Sequence, residues 1–182
     1  ELALVGRHNA LNALAVFGLA LELGVPEDAI RQALKTFQGV ARRLQCKGEV
    51  SHVVAFDDYA HHPEELNALI SGVRSLYPNE KMVLVFQPHL YSRTQDQAAG
   101  FIDVLSKADE VILLPIYPAR ELPIPGVSSD ILLDKMTVAK KTVMSKEQLF
   151  EWAANTQDKL IVMAGAGDID ACITKVKEIF SK

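Results

Sequence analysis

The chain has 182 residues, 49% of them hydrophobic and 23% charged, with a formal net charge of −4 at pH 7. That balance supports a buried core for one full domain plus a smaller piece and excludes a disordered chain. It also excludes the basic footprint of a nucleic-acid or acidic-membrane binder, and the longest apolar runs, residues 13–21 and 111–116, fall far short of the roughly 20 residues that span a bilayer. No secretory leader is visible. Cys46 and Cys172 stand alone without metal-ligand spacing, which fits a reducing, cytoplasmic setting better than a disulfide framework.

In chain order, ELALVG reads as the end of a strand and a turn at Gly6, so the chain is expected to begin inside a domain. Helices are expected over about residues 9–23 and 26–37, separated by Gly24 and Pro26. The first is apolar on nearly every side and is expected to be buried. The second places Ala29, Ile30, Ala33, Leu34 and Phe37 on one face. The pattern changes between Phe37 and Arg43, so residues 1–40 are expected to close one domain and residues 41–182 to form another.

From Arg42 onward strands and helices alternate, with strands expected over residues 44–50, 53–57, 82–87, 110–115, 141–144 and 160–164. The middle ones are continuous apolar runs, as strands covered on both faces are. This predicts an α/β fold, a Rossmann-like and mostly parallel sheet with helices on both faces, preceded by two helices. Helix starts are marked by Pro63 with Glu64 and Glu65, and by the capping-box spacings Thr94 to Gln97 and Ser145 to Gln148.

Ligands gather at the carboxyl ends of strands in such sheets, and the segments there are polar: residues 57–63, 88–94, 117–121 and 165–168. A binding site on that rim is the simplest account. Each residue also has a purely structural reading, with Asp58 capping a turn, His62 capping the helix opened by Pro63, and Thr94 capping its own helix. Histidine and aspartate are suitable zinc ligands, but adjacent His61 and His62 diverge and no second ligand spacing accompanies them, so no metal site is expected. Gly165-Ala166-Gly167 is a tight strand-to-helix turn rather than a dinucleotide fingerprint, because it follows the last strand and lacks a third glycine. His8, Asn9 and Asn12 lie within one turn of the first helix. Asparagine suits the edge of a purine; a helix cap and a buried amide are the structural alternative.

The segments GRHNALNALA, GVARRLQ, DDYAHHPEE, VFQPHLYSRT, YPARELPIPG and AGAGDI occur in the order and approximate spacing of the last third of the Mur ligases, which the chain resembles over nearly its whole length. The histidine pair, FQPH and PIPG resemble the branch of that family that adds L-alanine. The resemblance implies an enzyme of three domains, with this chain holding the end of the central ATPase domain and all of the C-terminal one. It implies ATP-dependent joining of L-alanine to UDP-N-acetylmuramate through an acyl phosphate in peptidoglycan precursor synthesis. ATP and Mg2+ are the implied cofactors, and the N-terminal and central domains the implied partners, with most magnesium ligands upstream.

Carried over by motif, His8, Asn9 and Asn12 resemble adenine-side contacts. Arg43, helped by Arg42, resembles the arginine that reaches the nucleotide, and Asp58 the acidic residue near the ribose and phosphates. Tyr59, His61, His89 and Arg93 resemble residues facing the muramoyl carboxylate and the incoming amino acid. Arg93 and Arg43 suit the stabilisation of developing charge, and His61 or His89 suits a general base. One departure is clear: Leu90 stands where many relatives have Arg after the QPH histidine. No G-x-x-x-x-G-K-[ST] occurs, so the chain alone is expected to be inactive. A ligase that recycles a tripeptide, a non-catalytic nucleotide-binding module and a metal-dependent hydrolase are the competing readings.

Overall fold

The computed structural model describes residues 2, 4, 6–50 and 53–181, without the side chains of residues 47–50 and 53. Two compact units, Glu1–Ala41 and Arg42–Lys182, divide the chain. The strand end expected over the first five residues falls largely outside the described residues.

In the first unit, α1 (Arg7–Glu22) starts after Gly6, whose φ of 103° suits glycine because a Cβ there would also strike the His8 ring at 2.8 Å. Helix α2 (Glu27–Thr36) has Glu27 and Asp28 in its first turn and Lys35 in its last, which complements the helix dipole. Ile30 is its buried residue, and the Arg31 guanidinium lies 5.3 Å over the Phe17 ring. The expected burial of α1 does not occur. None of its residues is buried, and Leu11, Leu14, Val16 and Leu19 are 53%, 67%, 57% and 64% exposed. A helix apolar all round needs cover on every side, and α2, the one other described element of this unit, covers a single side.

The second unit runs β1 (Gln45–Val50), β2 (Val53–Asp58), α3 (Pro63–Leu76), β3 (Met82–Phe86), α4 (Tyr91–Asp96), α5 (Ala98–Leu105), β4 (Glu110–Leu113), α6 (Asp130–Leu133), β5 (Lys140–Val143), α7 (Lys146–Asn155), β6 (Leu160–Ala164) and α8 (Ile169–Phe180). The sheet order is β1-β2-β6-β3-β4-β5. Strand β1 is antiparallel to β2, and every other pair is parallel. The last strand is therefore inserted between β2 and β3, which puts the turn after β6 in the middle of the rim.

Alternation along each strand sorts the core into two layers. Met82, Leu84 and Phe86 of β3 join Leu160, Val162 and Ala164 of β6 beneath α3 and α5, with Leu66, Val73, Phe101 and Leu105. Val83 and Val85 join Ile161 and Met163 on the other face, beneath α7 and α8, with Leu149, Ile173 and Val176. Burial on both faces is why these strands are unbroken apolar runs.

Ser145 caps α7 by the reciprocal capping box with Gln148, as its spacing predicts. Thr94 does not cap. It sits inside α4, where Oγ1 donates to Leu90 O at 2.7 Å, and the helix is interrupted at Gln97 instead. His62 holds the N-cap position of α3 with no side-chain cap bond, leaving Pro63 at N1 and the acidic first turn to start that helix.

Candidate active site

The carboxyl ends of β2, β6, β3 and β4 lie side by side. Gly165 N donates to Asp58 O at 3.1 Å, Gln87 N to Ala164 O at 3.0 Å, and Leu114 N to Phe86 O at 2.9 Å. The polar segments that follow these strands are thereby brought together.

Two of them are zipped by backbone. His89 and Tyr117 form an isolated parallel bridge, with Leu90 N donating to Tyr117 O at 2.9 Å and Tyr117 N to Pro88 O at 2.8 Å. The rings stack, with centroids 5.6 Å apart and planes at 17°. Arg93, one helical turn after His89, points Nη1 at His89 Nδ1 across 3.2 Å. Burial, followed by the charges of Arg93 and His61, pushes the His89 imidazole below the ordinary histidine range. Glu121 fixes the start of α4, accepting from Ser92 N at 3.0 Å and from the Ser92 hydroxyl. Leu90 adopts φ 72°, strained for a residue with a Cβ.

His61 comes from the other side of the rim. Its Nδ1 lies 2.8 Å from Tyr59 O and 3.3 Å from Glu65 Oε2, while its backbone N–H donates to that same carboxylate at 2.9 Å. Its ring centroid is 6.1 Å from that of His89. Burial acts to raise the Glu65 pKa, but the His61 backbone hydrogen bond and the charges of His61 and Arg43 outweigh it and hold the carboxyl below its usual range.

The two arginines that open this unit behave differently. Arg42 is bound into the domain: Nη2 donates to Gly165 O at 2.8 Å, Nη1 is 3.2 Å from Asp170, Nε is 3.8 Å from buried Asp57, and the guanidinium sits 4.8 Å over the Tyr59 ring. Arg43 is half exposed, with one 3.3 Å pairing to Glu65. Asp58 is buried, and its carboxylate holds backbone, accepting from Leu44 N at 2.5 Å and Ala60 N at 2.7 Å. Burial raises its pKa despite those bonds. Its turn-capping role is thus realised, and both oxygens are engaged. Tyr59 is 38% exposed beside both arginines.

His8, Asn9 and Asn12 belong to the first unit, where His8 and Asn12 are exposed and Asn9 half-buried on the first turns of α1. Among the described residues no group of three His, Cys, Asp or Glu side chains is arranged to hold a metal ion. A cavity of about 630 Å³ lined by Lys81, Lys140, Trp152 and Asp158 lies at the amino ends of the strands, away from this rim. Tyr117 and Glu121 lie in a segment the sequence places on the rim but were given no role there, and Glu65 was expected only as part of a helix start. The four-residue spacing of His61 and Glu65 was a readable signal; the ring stack of Tyr117 was not.

A mostly parallel α/β domain with arginines and titratable side chains clustered at its strand ends has the frame of a ligand-binding domain of the doubly wound kind. A family profile described as Mur ligase, glutamate ligase domain, matches residues 42–167. The UDP-N-acetylmuramate–L-alanine ligase of Christiangramia forsetii is 47% identical over 96% of this chain and 39% of its own length, and that of Flavobacterium johnsoniae 45% identical over 98% and 40%. The crystal structure of UDP-N-acetylmuramate-alanine ligase from Thermotoga maritima superposes with a TM-score of 0.77 at 28% identity, covering 98% of this chain and 38% of that one. This chain belongs to the Mur ligase family. It spans about 40% of the length of the curated relatives it matches.

Proposed function

We propose that this chain is the C-terminal part of an ATP-dependent ligase that adds L-alanine to UDP-N-acetylmuramate, with residues 1–40 closing a central ATP-binding domain and residues 41–182 forming the C-terminal domain. The observation that carries this is the Arg93–His89–Tyr117 assembly facing His61, in a chain close in sequence to ligases of that name.

ATP would supply the phosphoryl group that activates the lactoyl carboxylate as an acyl phosphate, from which the amine of alanine displaces phosphate. Arg43, exposed at the rim, is the guanidinium suited to the nucleotide, and Arg42 supports it by fixing the backbone beside it. Asp58 acts in the same place through backbone, holding the Leu44 and Ala60 amides that shape the loop near the ribose and phosphates. His8, Asn9 and Asn12 supply the polar edge for the adenine. Arg93 neutralises charge on the carboxylate and on the oxyanion that forms during attack, and Tyr59, His61 and His89 line the amino-acid side. The described residues offer no cluster for Mg2+, so no step here is assigned to it. The apolar sides of α1 find their cover in the rest of the central domain, and the reaction runs in the cytoplasm.

Phosphate release tests the reading. The complete protein, given ATP, magnesium and UDP-N-acetylmuramate, is expected to release phosphate only when L-alanine is added, and the 182-residue chain alone to release none. Release with the recycling tripeptide and not with L-alanine would move the protein to the recycling branch; no release with either would leave a nucleotide-binding module.

A further inference from the structure

Neutral imidazole has one N–H donor and one lone-pair acceptor, and the partner of either nitrogen reveals which is which. At His61 the partner of Nδ1 is the Tyr59 carbonyl at 2.8 Å, a group that only accepts. Nδ1 therefore carries the proton and Nε2 the lone pair. At His89 the partner of Nδ1 is the Arg93 guanidinium at 3.2 Å, a group that only donates. Nδ1 therefore carries the lone pair and Nε2 the proton. The two rings, 6.1 Å apart, hold opposite tautomers.

Their surroundings reinforce the difference. The charged groups facing His61 are Glu65 of α3, Arg43 through Glu65, and His89 with Arg93 from the segment after β3. Glu65 lies 3.3 Å from Nδ1, so a positive imidazole gains a carboxylate partner when Nε2 takes a proton. That is the arrangement of a base held by an acidic residue behind it. Protonating His89 at Nδ1 instead sets N–H against N–H beside a guanidinium. The Tyr117 stack fixes the plane of the ring, and within that plane a half-turn that moved Nδ1 away would give up the Arg93 contact.

We propose that the two histidines have separate tasks in the ligase reaction: His61 Nε2 takes the proton from the incoming amine, and His89 Nε2–H donates a hydrogen bond to an oxygen of the acyl group under attack. The assignment rests on the ligase reading above. His61 accepts one proton from the ammonium of the amino acid, and the freed nitrogen lone pair forms the C–N bond. The bond from the acyl carbon to the phosphate oxygen breaks with its electron pair leaving on phosphate, and the second amine proton departs with phosphate or water. His89 stays neutral throughout and offers a donor where negative charge collects on the acyl oxygen.

Two measurements decide it. Long-range 1H–15N NMR of the histidine-labelled 182-residue chain at pH 8, assigned with His61→Gln and His89→Gln, is expected to show the proton of His61 on Nδ1 and that of His89 on Nε2. The same tautomer at both rings overturns the proposal, and this readout does not depend on any turnover. In the complete ligase, His89→Gln supplies an amide N–H in place of Nε2–H and is expected to keep kcat within about tenfold, whereas His61→Gln cannot accept a proton and is expected to lose about 10²–10⁴-fold and the acidic limb of the kcat/KM profile. Loss of that limb in His89→Gln with its retention in His61→Gln reverses the roles and overturns the proposal. A wild-type protein that shows no L-alanine-dependent phosphate release removes the ligase reading and the catalytic roles with it, while the NMR result still decides the tautomers.

Discussion

The ring of Tyr117 rests on Gly167: a Cβ at position 167 would lie 2.6 Å from Tyr117 Cγ and 2.5 Å from Gln87 Oε1. The turn after β6 thus forms the floor on which the His89–Tyr117 stack is built. Gln87, buried just after β3, also accepts from Ile169 N at 3.1 Å and donates to Asp168 at 2.9 Å, so its side chain gives way only by breaking those bonds. Gly167→Ala is expected to destabilise the domain by about 1–3 kcal/mol, as overpacking does, and to disturb the stack. Urea unfolding measures the first, and a wild-type midpoint would show that the turn yields freely.

Leu90 carries strain at the same site. With φ 72° it pairs with Tyr117 O through its N–H and accepts from Thr94 through its carbonyl, so the loop is held at both ends while its own backbone is unfavourable. Glycine adopts this conformation without penalty, and a β-branched residue adopts it worst. Leu90→Gly is expected to be at least as stable as the wild type and Leu90→Val less stable than either, by thermal melting. A Val variant that melts with the Gly variant would remove the strain argument.

Acid should weaken the second unit through identifiable carboxylates. Burial works to raise the Asp109 pKa, but hydrogen bonds from Arg74 at 2.7 Å and Met82 N at 2.8 Å, with the charges of Arg74 and Lys81, hold it below the ordinary range. Asp158 and Asp168 are lowered in the same way by Lys81 and Lys146 after burial is overcome. A depressed folded pKa contributes stability fully present above the unfolded value near ~3.9 and lost as pH falls through the lower folded value. Asp109→Asn should therefore be less stable than wild type at pH 7, and the gap should shrink as the pH falls below the unfolded value and through the lower folded one. A stability gap unchanged by acid would contradict the assignment.

The adjacent arginines should separate experimentally. Arg42→Ala strips the cation from buried Asp57 and the donor from Gly165 O, and is expected to cost about 2–4 kcal/mol. Arg43→Ala loses one exposed pairing and should stay within about 0.5 kcal/mol of wild type, while raising KM for ATP in the complete ligase. Equal losses of stability in the two variants, by urea unfolding, would erase the distinction.

The local signals in the sequence were reliable where local chemistry decides. Unbroken apolar runs located the buried strands, and the Ser145 to Gln148 spacing marked a capping box that formed. The same spacing from Thr94 to Gln97 misled, because the bridge of His89 to Tyr117 starts α4 four residues earlier, with Leu90 at the N-cap position, and turns Thr94 inward. The apolar periphery of α1 identified a helix but not its cover, which is a property of whatever packs on it rather than of the helix.

By itself the sequence determined the α/β class, the polar segments at the strand ends and the residues that carry the family resemblance, because periodicity, turn chemistry and motif order are written along the chain. Only the tertiary structure decided that β6 lies between β2 and β3, that Arg42 is bound while Arg43 is accessible, and that Nδ1 of His61 meets an acceptor while Nδ1 of His89 meets a donor. Strand order depends on which sheet edge each segment finds. A ring's tautomer depends on whether its neighbour donates or accepts, and the stacking and pairing partners that fix these two rings, from Tyr117 to Glu65, are assembled only when the strand ends meet.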